Sequence, residues 1–119
     1  MGAPVAWFEV TSTNHERAQK FYTELFGWTI DLEPSMRGYG IVDTGAGGDA
    51  IGGGIGPSQA PGDTGVKIYL SVDDLDAYLR RAEELGGKLS VPPMDLPGDA
   101  GTIAVLTDPD GIAVGLWKK

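Results

Sequence analysis

One pattern occurs twice in this chain, sixty positions apart, and it constrains the fold more than any other feature. VAWFEV, Val5 to Val10, sets Ala6, Phe8 and Val10 against Trp7 and Glu9, and Thr11 continues the second set. That alternation is the period of a β-strand. Asn14 follows as a helix N-cap. Ala18, Phe21, Tyr22, Leu25 and Phe26 then recur at the spacing of one apolar helix face, and Gly27 supplies the stop. VKIYLSV, Val66 to Val72, repeats the strand with Ile68, Leu70 and Val72 against Lys67, Tyr69 and Ser71. Asp74 caps a second helix with the stripe Leu75, Tyr78, Leu79, Ala82 and Leu85, which Gly86–Gly87 end.

The later parts of the two halves also match. DAIGGGIG, Asp49 to Gly56, lies opposite DGIAVGLW, Asp110 to Trp117. DPDG, Asp108 to Gly111, has turn chemistry: Pro109 suits the second position and Gly111 accepts positive φ. A hairpin therefore joins Ile103–Thr107 to Ile112–Lys118. Each half reads as strand, helix and three strands, over about 4–56 and 66–118, with a polar connector PSQAPGDTG at 57–65. A long unit occurring twice is a duplication and not a solenoid, which needs more copies. The expected fold is α+β, one domain of two βαβββ modules. Each helix covers the apolar side of its sheet, and the opposite faces are left to line a cleft.

At 119 residues, 41% of them hydrophobic, the chain can bury a core and is not disordered. There is no cysteine, so neither disulfides nor thiolate chemistry are available, which fits a reducing compartment. No leader and no membrane-length apolar run is visible, and a cytoplasmic location is expected. The net charge of −8 repels phosphates and anionic lipid, so neither nucleic acid nor membrane is an expected partner.

WFEVTSTNHERAQKFYTELFGW resembles the first module of the glyoxalase/bleomycin resistance/extradiol dioxygenase superfamily, the vicinal oxygen chelate proteins. IYLSVDDLDAYLRRAEELGGKL resembles the start of its second module, and LTDPDGIAVGLW its final hairpin. The resemblance implies paired βαβββ modules curled around a cleft with helices outside, and commonly a homodimer. In many members a divalent metal held by His, Glu or Gln on the first and last strands polarises vicinal oxygens of a substrate. Other members bind or sequester a drug without metal.

At those positions this sequence departs from the family. Counting back from Phe21–Tyr22, the ligand places fall on Trp7, Lys67, near Gly54 and on Gly115. An indole N–H, an ammonium and two bare backbones do not ligate a divalent cation. A register shifted by two residues offers Glu9 with Tyr69 or Lys67, and Ala113 and Trp117, which still amounts to one carboxylate. The single histidine, His15, follows the cap at a helix start, outside the expected cleft. No metal site and no cofactor is expected.

The expected ligand-binding set is Trp7, Glu9, Thr11, Gly54, Lys67, Tyr69, Ser71, Gly115 and Trp117, with the glycines leaving room for a small molecule. Glu9 and Lys67 pair with each other, or one of them meets ligand, or Glu9 acts as a general base. Trp7 is either packing or a stacking platform for a planar or cationic ligand. GAGGDAIGGGIG lacks the Lys-Ser/Thr ending of a phosphate loop and reads as a hairpin tip with a glycine-rich strand. SMRGYG, Ser35 to Gly40, and PPMDLPGDAG, Pro92 to Gly101, read as loops, with Met36, Tyr39, Met94 and Leu96 near the cleft mouth. The leading expectation is a metal-independent small-molecule binder. The alternatives are a lyase, isomerase or dioxygenase of the superfamily, and a dimerising accessory module with a filled cleft.

Overall fold

Strand alternation and helix capping act locally, and both produce the elements expected of them. The computed structural model describes residues 2–32, 34–59 and 63–119, without the Ser35 side chain. Residues 60–62 of the expected connector lie outside the described residues. The order is β1 (Val5–Ser12), α1 (His15–Phe26), β2 (Thr29–Leu32), β3 (Gly40–Asp43) and β4 (Gly52–Pro57). It continues with β5 (Gly65–Ser71), α2 (Leu75–Glu84), β6 (Lys88–Asp95), β7 (Thr102–Thr107) and β8 (Ala113–Lys118). The fold is α+β, with strand, helix and three strands in succession twice.

Both helices start on the expected caps. Asn14 Oδ1 accepts from the Arg17 N–H at 3.1 Å, and Asp74 Oδ1 from the Ala77 N–H at 3.1 Å. Each bond satisfies an N–H that the first helical turn leaves without a partner. α1 ends at Gly27 in the left-handed conformation (φ 71°), whose N–H donates to Thr23 O at 2.9 Å. The DPDG turn closes as expected: the Gly111 N–H donates to Asp108 O at 2.9 Å, and Asp108 Oδ1 accepts from the Asp110 and Ile112 N–H groups.

The chain divides into two compact units, Trp7–Val66 and Lys67–Lys119 with the N-terminal residues through Ala6. In the Trp7–Val66 unit the strand order is β2-β3-β4-β1, with β1 parallel to β4 and the other neighbours antiparallel. Val10, Val42 and Ile55 form its core, with Phe8, Ala18, Tyr22, Trp28 and Ile30 packed against them. Ile55 is completely buried, which for a side chain of this size contributes about 1.5–3 kcal/mol. In the other unit the order is β5-β8-β7-β6, with β5 parallel to β8. Val72, Leu75, Ala104, Leu106 and Leu116 are its core, supported by Leu70, Leu79 and Ala82.

Only part of the apolar stripe of α1 is buried. Ala18 and Tyr22 reach the core, but Phe21, Leu25 and Phe26 remain 57%, 58% and 54% exposed. Phe21 stands edge-on to Tyr22, and Phe26 lies 5.2 Å from Trp28 between ring centroids. These side chains extend an aromatic cluster sideways and do not enter the core.

PPMDLPGDAG is not all loop: β6 runs through Pro92 and Pro93 to Asp95. Its pairing with β7 shifts register between Leu89 and Val91 and again between Val91 and Met94. β6 is an edge strand, so the missing proline N–H groups fall at an irregularity where the ladder tolerates them. SMRGYG does form the expected connection, a 3-10 turn at Pro34–Met36 followed by Arg37 and Gly38 at positive φ. Among the described residues no helix is long and apolar enough to cross a membrane.

Candidate functional site

Since Phe8 and Val10 pack toward α1, alternation sends Trp7, Glu9 and Thr11 to the helix-free face of β1. Their partners on β4 are Gly52, Gly54 and Gly56. On this face β4 is a bare backbone, and the chain's own rings cover it. Trp7 lies over Gly52, where a built Cβ would stand 3.2 Å from its six-membered ring. A Cβ on Gly54 would overlap the Tyr39 phenol, and one on Gly56 would crowd the same ring.

Tyr39 also joins Trp7 to Glu9. Trp7 Nε1–H donates to the Tyr39 oxygen at 3.1 Å, and the Tyr39 hydroxyl donates to Glu9 Oε2 at 3.0 Å. One phenol thus accepts from an indole and donates to a carboxylate, which uses both of its capacities in one geometry. The bond to the charged group is the stronger of the two.

Tyr39 is placed by the turn before β3. Arg37 (φ 50°) and Gly38 (φ 90°) reverse the chain, and the Tyr39 N–H donates to Met36 O at 3.1 Å. Gln19 on α1 clasps that turn: its Nε2 donates to Gly38 O at 2.9 Å and to Ile55 O at 2.7 Å. His15 lies beside it, with its Nε2 2.8 Å from where a Gly38 Cβ would stand, on the helix side of the unit.

In the other unit, Tyr69 and Ser71 of β5 pair with Gly115 and Trp117 of β8. The Tyr69 ring occupies the space over Gly115 and is 5% exposed. Lys67 Nζ sits 5.8 Å from the Tyr69 ring centroid, at the outer reach of a cation–π contact. Trp117 Nε1 donates to Ala100 O at 2.8 Å, which holds the segment before β7 against β8.

Of the expected set, Trp7, Glu9, Thr11 and Gly54 share one face of their unit. Lys67, Tyr69, Ser71, Gly115 and Trp117 share the β5–β8 strands of theirs. The room expected over Gly54 and Gly115 is taken by Tyr39 and Tyr69. Tyr39, expected on a loop near the cleft mouth, is the hub of the first face. The available signal was the alternation Gly52, Gly54, Gly56, which leaves a strip of strand that a ring from elsewhere must cover.

The donor set on these faces does not fit a divalent metal. It consists of two indoles, two phenols, an ammonium, two aliphatic hydroxyls and glycines, with Glu9 its one carboxylate. Among the described residues no three His, Cys, Asp or Glu side chains form a group that could hold a metal ion.

The sequence matches the model of the Glyoxalase/Bleomycin resistance protein/Dioxygenase superfamily over residues 5–116. It is 37% identical over 117 residues to "Putative glyoxylase CFP32" of Mycobacterium bovis, covering 94% of this chain and 44% of that protein. It is 33% identical over 140 aligned positions to the anthracycline biosynthesis protein DnrV of Streptomyces peucetius, covering 99% of this chain and 47% of that one. The chain thus spans about half the length of these curated relatives. Among solved structures, methylmalonyl-CoA epimerase from Mycobacterium tuberculosis superposes with a TM-score of 0.67 at 14% identity, covering 96% of this chain and 86% of that one. A superfamily member from Vibrio splendidus gives 0.66 at 15% identity, covering 99% and 100%. At such identities these likenesses speak for the fold alone. The chain belongs to the glyoxalase/bleomycin resistance protein/dioxygenase superfamily.

Proposed function

We propose that this chain binds a small, planar organic molecule on its helix-free strand faces, without the divalent metal used by many relatives. The observation that carries this reading is the Trp7–Tyr39–Glu9 chain laid over bare glycine backbone. Flat aromatic surfaces with a few directing polar groups are the usual chemistry of a small-molecule site. In the Trp7–Val66 unit the contacts are Trp7, Glu9 and Thr11, with the backbone of Gly54 beneath Tyr39. In the other unit Lys67, Tyr69, Ser71 and Trp117, with Gly115 beneath Tyr69, offer a face of their own. The relative named for anthracycline biosynthesis supports a fused-ring ligand, since the anthracycline skeleton contains a planar anthraquinone. A second copy of the chain is the proposed partner, and the absence of cysteine supports a reducing, cytoplasmic setting.

A thermal-shift screen tests this. The panel is divalent metals and planar metabolites and drugs. A bound compound at one hundred times its Kd adds about 2.7 kcal/mol to the native state. A planar compound is expected to raise the midpoint and to lose that effect in Trp7→Ala, while metals leave the midpoint unchanged. A divalent ion retained stoichiometrically per chain overturns the metal-free reading. A panel without any shift overturns the binder and favours the accessory module.

The Tyr39–Glu9 bond favours a second reading, in which Glu9 serves as a general base whose position the phenol sets. Turnover lost in Glu9→Gln with folding intact supports it. Unchanged turnover removes it.

A further inference from the structure

Tyr39 occupies a place with the features of a ligand subsite. Its oxygen receives the Trp7 N–H, its hydroxyl proton goes to Glu9, and its ring lies on the bare backbone of Gly54 and Gly56. A donor, an acceptor and a flat floor together specify a hydroxyl on an aromatic ring.

The ring in that place is not built into the strand that bears the site. Rotation about the Tyr39 Cα–Cβ bond carries the phenol away at the cost of its side-chain bonds to Trp7 and Glu9 and leaves the backbone of the turn and of β3 in place. Its backbone is held separately, by the Met36 carbonyl and by the Gln19 clasp on Gly38. Tyr69 over Gly115 makes the contrast. That ring is 5% exposed, so it has little free space to turn into. Tyr39 is only half-buried.

We propose that the slot over Gly54 is a hydroxyaryl subsite that Tyr39 fills in the unliganded chain. A ligand's phenolic ring takes the same place, its oxygen accepting from Trp7 Nε1 and its hydroxyl donating to Glu9. This rests on the small-molecule reading above and names the ligand class for it: a planar molecule carrying a phenol, in competition with Tyr39. A molecule of the same shape with a methyl ether in place of the hydroxyl has no proton for Glu9 and is rejected.

The test compares p-cresol with 4-methylanisole by calorimetry on the full chain and on Tyr39→Ala, Tyr39→Phe and the double variant Tyr39→Ala/Glu9→Gln. Tyr39→Ala opens the slot and is expected to bind p-cresol at least tenfold more tightly than the wild type, and at least tenfold more tightly than 4-methylanisole. Adding Glu9→Gln is expected to bring the two compounds within about threefold, because a neutral amide is a weaker acceptor than a carboxylate. Tyr39→Phe keeps the ring but loses both hydrogen bonds, so p-cresol is expected to displace it severalfold more readily than it displaces tyrosine. This variant carries the test if Tyr39→Ala does not fold. Equal binding of the two compounds to Tyr39→Ala overturns the subsite, as does p-cresol affinity that neither Tyr39 variant changes. The broader reading fails separately: the wild type then binds no planar compound, while Tyr39→Ala still prefers the phenol.

Discussion

Phe8 and Gly53 are paired across β1 and β4, and the Phe8 ring occupies the space that a Gly53 side chain would take. The two residues lie on the helix side of the sheet, where the ring also meets Trp28 at 5.3 Å between centroids. A methyl group at residue 53 must push the ring off its seat in the aromatic cluster. Gly53→Ala is expected to destabilise the chain by about 1–3 kcal/mol, the usual cost of overpacking a core. Urea denaturation of this variant beside Gly47→Ala separates packing from backbone effects. Gly47 has open space around it, so only its positive φ opposes the substitution.

Gln19 holds two carbonyls from one amide, on Gly38 and on Ile55. Gln19→Ala leaves both without that donor, and a loss of about 1–3 kcal/mol is expected. The same substitution loosens the turn that places Tyr39. Quenching of tryptophan emission by acrylamide is therefore expected to increase as Trp7 becomes accessible. Unchanged quenching with full loss of stability would show that the clasp acts on β4 alone.

The phenol between Trp7 and Glu9 predicts an order of effects. Trp7→Phe removes one neutral hydrogen bond and keeps a ring over Gly52, so it is expected to cost about 0.5–1.5 kcal/mol. Tyr39→Phe removes both bonds and deprives a half-buried carboxylate of a donor, so it is expected to cost more, about 1–3 kcal/mol. Chemical denaturation of both variants and of the double variant gives their coupling. Strictly additive losses would contradict a connected chain.

Helix entry depends on one side-chain oxygen in each unit. Asn14→Ala and Asp74→Ala are each expected to cost about 1 kcal/mol, and the glycine substitutions only a few tenths. Thermal melts followed by far-ultraviolet circular dichroism check this. Equal losses for alanine and glycine would mean that the lost contact is not the cap.

Trp117 and Ala100 tie β8 to the segment before β7. Trp117→Phe preserves the ring and removes the N–H. Amide exchange at residues 98–101 is expected to quicken without a change in β7, where the ladder to β8 continues from Thr102 to Thr107.

Much of the architecture was legible because it is written locally. The period-two runs at Val5–Val10 and Val66–Val72, the caps Asn14 and Asp74, and the glycine stop at Gly27 each act within a few residues. The twofold recurrence follows from them, and with it which side of each first strand meets a helix. Alternation alone also put Trp7, Glu9 and Thr11 on one face.

Two matters were decided only by the tertiary structure. How much of the α1 stripe is buried depends on which side chains from elsewhere pack against it, which no helical period encodes, and Phe21, Leu25 and Phe26 stay exposed. The occupant of the space over the β4 glycines depends on strand register. The β3–β4 ladder and the turn at Arg37–Gly38 carry Tyr39, thirty-two positions from Trp7, into contact with it. Bare glycines in a sequence show that space exists. Whether a ligand or the chain's own ring takes it is settled by contacts distant in sequence, and here Tyr39 holds the place.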